Sequence, residues 1–244
     1  MENELKLEAR DLGKIYEDGT KALDNVSFKV EAGSIYAMLG GNGAGKTTTI
    51  NIFLNFIEPS AGDALVDGIN CSDEPLKAKA NIAYVSENVM LYSNFTAIQN
   101  LDFFSRLAGK NNYSRTDYEN VLRRVGLQDE AFDRKLSTFS KGMRQKSGIA
   151  IAILKDAAVI ILDEPTSGLD PKAGFEFIRL LEDLKSEGKA ILMSTHDIFR
   201  AKEIADTIGI LNNGKLVMER NKEELKNADL QQLYVEHMAG YMNA

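Results

Sequence analysis

A glycine-rich segment before a predicted helix constrains the fold of this chain more than any other feature. It follows an apolar, β-prone run at residues 35–39 and precedes a helical pattern, so it predicts a strand, a tight turn and a helix N-terminus in succession. Glycines let backbone N–H groups converge on phosphate oxygens, and the first helical turn adds unpaired donors and a positive dipole end. The segment therefore predicts a phosphate-binding loop, made of Gly40, Gly41, Asn42, Gly43, Ala44, Gly45, Lys46, Thr47 and Thr48.

Two side chains of this loop carry the expected chemistry. Lys46 supplies a point charge for the β- and γ-phosphates of a nucleotide, and the Thr47 hydroxyl supplies a ligand for Mg²⁺. The alternative is an ordinary glycine-rich turn with a lysine beside it, but the flanking strand and helix favour phosphate binding. The loop alone does not choose between kinases, GTPases and ATPases.

The order of predicted elements indicates an α/β fold with a parallel sheet, and together with the loop it resembles the P-loop NTPase (RecA-like) type. Residues 5–10 and 23–30 alternate apolar and polar side chains, which predicts an antiparallel β layer near the N-terminus. Residues 158–162 form an apolar, β-branched run of the kind that lies buried in parallel sheets. A helix beginning at Pro171 and a strand at 190–194 continue the βαβ order.

The remaining pattern predicts one domain with a helical insert. Helical periodicity at 96–109 and 117–125 places this insert at about residues 90–155, leaving 1–89 and 156–244 for the β subdomain and the catalytic core. Turn-forming residues at 60–63 and 66–68 bracket a short strand, and 211–216 is a hairpin turn. Residues 223–240 predict an amphipathic helix that packs against the core.

Composition excludes several function classes. The 36 acidic and 29 basic residues give a net charge of −7 without a long run of like charge, so direct nucleic-acid binding is not favoured. The single Cys71 cannot form an internal disulfide, and the N-terminus lacks the apolar core of a signal peptide. The longest apolar stretch, 149–162, is interrupted by charge and is too short to span a membrane. We expect a cytoplasmic protein that meets membranes only through a partner.

Polar residues after two of the predicted strands point to the chemistry. Asp163 and Glu164 follow the buried run at 158–162, at the strand end where α/β folds bind ligands. Asp163 is placed to hold Mg²⁺ through water, and Glu164 to polarise a water molecule. His196 lies at the end of the next strand; taken alone, it is better explained as a strand-end histidine that makes local hydrogen bonds.

The segment Phe139-Ser140-Lys141-Gly142-Met143-Arg144-Gln145 resembles the signature motif of ATP-binding cassette (ABC) proteins. It lies about 20 residues before Asp163 and precedes an apolar helix. Ser140 is a good helix N-cap, so the segment taken alone is also explained as an ordinary capped helix. Order and spacing of the other motifs resemble the family along almost the whole chain.

The resemblance implies roles for individual residues. Tyr16 is the aromatic platform on which adenine stacks, although alone it is a half-buried loop aromatic. Glu87 stands at the position that usually holds a glutamine near Mg²⁺, its alternative being a solvated loop charge. Ser140, Gly142 and Asp170 contact ATP held by a second copy of the chain, in a head-to-tail dimer with two composite sites. Glu164 orients or deprotonates the attacking water, and His196 contacts the γ-phosphate.

Departures from the family pattern narrow the resemblance. Gly41 replaces a common proline, Lys141 and Met143 replace a glycine and a glutamine of the signature, and Glu87 replaces the glutamine. These last three changes are similar to exporter-type subunits that pair with a separate small permease. The permease helix is expected to dock on the segment from Glu87 to Phe104, with apolar side chains at Val89, Met90, Leu91, Tyr92 and Phe95.

Three functions remain open at this point. The chain is expected to be the ATPase subunit of an ABC transporter at the cytoplasmic face of the membrane. It could instead be a soluble ABC ATPase with a mechanical or assembly role, of which the iron–sulfur-assembly type fits the single cassette. A module that binds ATP without turnover is the third, opposed by the presence of both Glu164 and His196. The transported substrate cannot be named from the sequence.

Overall fold

Two β-sheets organise the part of the chain that the computed structural model describes, residues 4–226 and 230–239. The first sheet is the antiparallel layer predicted from alternation, with strand order β2-β1-β4-β5. Its strands are β1 (Leu5–Ile15), β2 (Lys21–Glu31), β4 (Ala61–Val66) and β5 (Ile69–Asn70).

The second sheet has six strands in the order β10-β9-β3-β8-β7-β6. It contains β3 (Ile35–Leu39), β6 (Ile82–Val85), β7 (Val159–Asp163), β8 (Ala190–Thr195), β9 (Thr207–Asn212) and β10 (Lys215–Asn221). All neighbouring pairs are parallel except the hairpin β9–β10. Leu39 pairs with Thr195 and Asp163 with Ser194, so the segments that follow β3, β7 and β8 emerge at one edge. This edge carries the site.

Nine helices of the described residues complete the fold. They are α1 (Lys46–Phe53), α2 (Pro75–Ala80), α3 (Ala97–Leu107), α4 (Arg115–Arg124), α5 (Lys141–Lys155), α6 (Pro171–Ser186), α7 (Ile198–Ile204), α8 (Lys222–Leu225) and α9 (Leu230–Ala239). Helices α3, α4 and α5 lie between β6 and β7, the region in which the sequence predicted a helical insert. Capping boxes start the first two, where Thr96 pairs with Gln99 and Ser114 with Asp117. No helix among the described residues is long and apolar enough to cross a membrane.

Apolar side chains form a core on each face of the six-stranded sheet. Along β3, Tyr36 and Met38 face the core shared with the antiparallel layer, whereas Ile35, Ala37 and Leu39 face the core shared with the helical insert. Since both faces are covered, every residue of this strand is buried. Each large apolar side chain buried in this way contributes about 1.5–3 kcal/mol. The two cores hold the sheet edge, and with it the site, in a fixed position.

Residues 60–63 were wrongly predicted as a turn. Residues 61–63 are the first three residues of β4, where Gly62 has a φ of 74° and a Cβ on it would lie 2.2 Å from the Arg10 carbonyl oxygen. This close approach occurs at an irregularity of β1, where Asp11 has a φ of 48°. Only glycine fits there, so the residue marks an irregular strand pair rather than a chain reversal.

The C-terminal prediction is confirmed in part. The predicted helix at 223–240 corresponds to α8 and α9, whereas residues 227–229 and 240 lie outside the described residues. Leu230 is buried, and the Asn212 side-chain amide donates to the His237 carbonyl oxygen at 3.3 Å. The described part of this segment therefore packs on the core, as predicted.

Candidate active site

The glycine-rich loop lies between β3 and α1, as predicted. Gly43 and Gly45 have φ angles of 76° and 110°, a region that residues with a Cβ rarely adopt. A Cβ on Gly45 would also lie 2.8 Å from Leu23 Cδ2 and 2.9 Å from the Ala22 carbonyl oxygen. No side chain of the described residues caps α1. Its first N–H groups therefore point toward the loop with no side-chain acceptor, which is the arrangement that binds phosphate.

Lys46 is held inside this loop, with only 7% of its surface exposed. Its ammonium donates to the carbonyl oxygens of Gly40, at 2.7 Å, and Gly41, at 3.1 Å. It also lies 3.6 Å from Glu164 Oε1. The charge is therefore fixed at the mouth of the loop, where a phosphate oxygen would compete with neutral carbonyls for its protons.

Two carboxylates stand at the end of β7, opposite the loop. Asp163 accepts a hydrogen bond from the Ser194 hydroxyl on the neighbouring strand β8. Burial raises the pKa of Asp163, and the nearby Glu164 raises it further, while the bond from Ser194 opposes both. Glu164 has a φ of 46° and its N–H donates to the Ser194 carbonyl oxygen at 3.2 Å. This left-handed turn directs the Glu164 side chain toward Lys46 and His196.

His196 lies directly beside the second carboxylate. Its Nδ1 is 2.9 Å from Glu164 Oε2, and its backbone N–H lies 3.4 Å from the same oxygen. The Glu164 side chain is 15% exposed and that of His196 is 60% exposed. The imidazole therefore holds one oxygen of Glu164 from the solvent side, while Lys46 faces the other.

A single cleft joins the predicted metal ligands to the loop. It is lined by residues 41–48 together with Glu87, Asp163 and Glu164. Thr47, Glu87 and Asp163 thus offer a hydroxyl and two carboxylates, the hard oxygen ligands that Mg²⁺ prefers. Among residues 4–226 and 230–239, no three His, Cys, Asp or Glu side chains are placed so that they could hold a metal ion by themselves. Mg²⁺ at nucleotide sites needs none, because it keeps water and phosphate ligands.

Glu87 makes contacts that the sequence did not predict. Its Oε1 accepts hydrogen bonds from the Ser167 hydroxyl at 3.0 Å and the Lys141 ammonium at 3.3 Å. These two contacts, the Ser167 bond foremost, lower the pKa of Glu87. The side chain is 43% exposed. Glu87 therefore links the cleft to the start of α5 and to the loop after β7.

Tyr16 lies beside Thr48, the last residue of the loop, but it is not among the described residues that line the cleft. Its hydroxyl is 3.4 Å from Thr48 Oγ1, and Lys14 Nζ lies 5.4 Å from the centre of its ring. The ring is partly exposed. An exposed aromatic face next to the phosphate loop is suited to stacking with a base.

Comparisons with known proteins identify the family. The family model described as ABC transporter matches residues 23–167, which include the loop, Glu87, residues 139–143 and the two carboxylates. The chain belongs to the ABC transporter family. It is 35% identical, over 86% of its length and 85% of the relative, to the ABC transporter ATP-binding protein NatA of Bacillus subtilis. Members of this family bind and hydrolyse ATP.

Two further ABC proteins illustrate the relationship. The daunorubicin/doxorubicin resistance ATP-binding protein DrrA of Streptomyces peucetius is 34% identical over 91% of this chain and 67% of its own. A solved dimeric ATP-binding cassette in a post-hydrolysis state, bound to ADP and Pi, has 26% identity. It superposes with a TM-score of 0.79 over 88% of this chain and 98% of its own.

The ABC signature lies apart from the loop of the same chain. Ser140 caps α5 by accepting from the Met143 N–H at 3.2 Å, as predicted, and Asp170 caps α6 by accepting from the Ala173 N–H at 2.9 Å. Ser140, Gly142 and Asp170 are not among the described residues that line the cleft. Their binding of ATP stays a prediction, and the structure gives Asp170 a helix-capping role.

The sequence placed Gln145 at the end of the signature segment but did not predict its role. It is fully buried, and its Nε2 donates to the Glu87 carbonyl oxygen at 2.9 Å. The sequence feature that could have indicated a buried, hydrogen-bonded side chain was the position of this polar residue next to the apolar face of α5. Gln145 therefore fixes the backbone that carries Glu87 relative to the signature helix.

Proposed function

We propose that this chain is the ATPase subunit of an ABC exporter, acting as a head-to-tail pair at the cytoplasmic face of a separate membrane permease. The observation that carries the catalytic part is the position of Glu164, between Lys46 at the mouth of the loop and His196 on the neighbouring strand end. A carboxylate held this way faces the place where the terminal phosphate of a bound nucleotide would lie.

Each group of residues in the site has its own role in ATP binding or hydrolysis. Backbone N–H groups of the loop and the Lys46 ammonium bind the phosphates and offset their charge. Glu164 accepts a proton from the attacking water, and His196 keeps the Glu164 carboxylate oriented while offering its exposed edge to the γ-phosphate. Tyr16 binds the adenine ring. Thr47, Asp163 and Glu87 would hold Mg²⁺, which would supply further positive charge to offset the phosphates.

The signature residues are proposed to act across a pair of chains. Ser140 and Gly142 lie at the N-terminus of α5, outside the cleft of their own chain. In a head-to-tail pair they would contact the ATP held by the other copy. The dimeric cassette with 26% identity supports the pairing of two chains. In the same proposal, residues 90–155 form the helical subdomain and residues 1–89 and 156–244 the rest of the cassette.

The permease is proposed to dock on an exposed aromatic surface of the helical insert. This aromatic surface consists of Met90, Tyr92, Phe95, Phe103 and Phe104. Met90 is 87% exposed, and the Tyr92 ring centroid lies 4.9 Å from that of Phe103 and 5.1 Å from that of Phe95. Val89 and Leu91, assigned to docking on sequence grounds, are partly buried against the core. A cluster of aromatic rings together with an exposed methionine suits an apolar helix of a partner.

Two observations support export: the departures of this chain from the commonest family motifs, and the name of one relative. Glu87, Lys141 and Met143 depart from the commonest motifs as the exporter-type subunits do. The name of DrrA refers to drug resistance, an outcome expected when a compound is moved out of a cell. The chemical class of the exported compound is not proposed, because the permease selects it.

ATPase measurements on the purified chain, alone and with a co-expressed permease, test the proposal. A transporter subunit should hydrolyse ATP, co-purify with a permease in detergent, and change its rate when the permease is present. Turnover that never responds to a permease would instead favour a soluble mechanical or assembly ATPase. ATP binding without turnover would favour a binding module.

A further inference from the structure

The structure pairs two residues of opposite charge that belong to different parts of the cassette. Lys141 is the first residue of α5, in the signature, and Glu87 lies on the segment after β6 that lines the phosphate cleft. Their Nζ and Oε1 atoms are 3.3 Å apart. Both positions depart from the commonest ABC motifs, where the corresponding residues are neutral.

Local packing holds Lys141 in this position. A Cβ placed on Gly168 would lie 3.6 Å from Lys141 Nζ and 3.7 Å from its Cδ, so the lysine stem runs over this glycine. Ser167, the residue before Gly168, donates to the same Glu87 oxygen at 3.0 Å. One carboxylate oxygen thus joins the signature helix, the loop after β7 and the wall of the cleft.

We propose that Glu87 exchanges Lys141 for Mg²⁺, so that binding of the metal–nucleotide complex releases the first turn of the signature helix from its own cassette. The inference rests on the proposed function, because it takes Glu87 as a ligand of Mg²⁺ beside Thr47 and Asp163 in the cleft. Lys141 is a positioning residue in this proposal and need not touch the nucleotide held by its own chain.

Electrostatics determines whether the Glu87 carboxylate pairs with Lys141 or with Mg²⁺. A carboxylate carries one negative charge, and a divalent cation on either of its oxygens weakens its attraction for an ammonium about 3 Å away. Conversely, Lys141 lowers the affinity of Glu87 for Mg²⁺, since linkage makes the two effects equal. An ion pair between partly exposed groups changes an equilibrium constant by about 1.5- to 5-fold. The pair is therefore weak enough to be broken by Mg²⁺.

Titration of the full chain with a fluorescent, non-hydrolysable ATP analogue tests this exchange. The dissociation constant is measured with Mg²⁺ and with EDTA, at a protein concentration where light scattering detects only monomer. Lys141→Met keeps the stem over Gly168 and removes the charge, so it should tighten binding about 1.5- to 5-fold with Mg²⁺ and leave binding in EDTA unchanged. Lys141→Arg, which keeps the pair, should behave like the parent.

A double-mutant cycle separates exchange from simple repulsion between Lys141 and the metal. In a Glu87→Gln background, Lys141→Met should no longer change the effect of Mg²⁺. A gain that persists in that background, or one that appears equally in EDTA, would overturn the exchange while leaving the ATPase assignment intact. Thermal unfolding confirms that each variant is folded. A folded parent that binds no nucleotide would overturn both the exchange and the proposed function.

Discussion

Glu164 and His196 are in direct contact, with 2.9 Å between Oε2 and Nδ1, although 32 residues separate them in the sequence. The parallel pairing of β7 with β8 brings them together, because both residues follow strands that end at the same edge of the sheet. Glu164 has a backbone φ of 46°, and its carboxylate lies between His196 and Lys46. This geometry makes Glu164 the residue on which hydrolysis should depend most.

Replacing Glu164 by glutamine should separate binding from hydrolysis. The amide keeps the size of the side chain but cannot accept a proton from water, so turnover should fall by about 10² to 10⁴, the usual contribution of a general base. ATP affinity should stay within a few-fold of the parent. A phosphate-release assay, with the exposed Glu58→Gln as control, measures the loss; turnover within a factor of three of the parent would remove Glu164 from the mechanism.

The same variant should reveal the composite sites. Because its ATP is not consumed, Glu164→Gln should accumulate as a dimer in saturating ATP and Mg²⁺. Size exclusion with light scattering reads the mass directly. Adding Ser140→Glu should restore the monomer, since a carboxylate at the signature would repel the γ-phosphate held by the other chain. A monomeric Glu164→Gln, or a dimer that persists after Ser140→Glu, would refute the head-to-tail model.

Tyr16 should contribute stacking energy to nucleotide binding. Tyr16→Ala should weaken ATP by about 1–3 kcal/mol, the range for a base on an aromatic side chain. Tyr16→Phe keeps the ring and removes only the hydroxyl near Thr48, so its affinity should remain close to that of the parent. Calorimetry on both variants decides the point. Equal losses for both would assign the effect to the hydroxyl, and no loss for either would exclude adenine stacking.

The sequence predicted where the loop and the carboxylates lie in the fold better than it predicted the contacts between distant segments. The loop and the β7 carboxylates were predicted correctly in position because a few local residues dictate each of them. The pairing of Glu87 with Lys141 was not predicted, since it depends on how α5 packs beside the cleft, across 54 residues of sequence. Gly62 led to the wrong prediction of a turn at residues 60–63. A glycine can have a positive φ in an irregular strand as well as in a turn, so its presence does not distinguish the two.

The aromatic surface should bind the permease. Met90→Glu or Tyr92→Glu should leave folding and basal ATPase activity unchanged but abolish co-purification with the permease, because a carboxylate cannot enter an apolar contact without a partner. Val235→Glu, at an exposed position on α9, is the matched control. Retained association of both variants would exclude this surface as the docking site, and lost folding would show that it belongs to the core.

Cys71 should be unreactive in the folded protein. The residue is 1% exposed, and burial raises the pKa of its thiol to about 12. A raised pKa keeps the thiol protonated, so at pH 8 the reactive thiolate is on the order of one molecule in ten thousand. Iodoacetamide at pH 8 should modify Cys71 only after unfolding, which mass spectrometry detects. Rapid labelling of the native chain would contradict the packing of the core below the antiparallel layer.

The central claim is that residues 40–48 bind the phosphates of ATP through Lys46. Lys46→Ala removes the only charge that the loop side chains offer and leaves neutral backbone dipoles. The variant must first be shown to be folded by thermal unfolding, and Lys77→Ala, at an exposed lysine, serves as the control for loss of charge.

Isothermal titration calorimetry of MgATP into the parent and Lys46→Ala is the measurement that tests this claim most directly. The account predicts saturable binding to the parent and to Lys77→Ala, and no measurable heat of binding to folded Lys46→Ala. Affinity of Lys46→Ala within a few-fold of the parent would contradict the account, because the glycine-rich loop would then be a structural turn rather than the phosphate site.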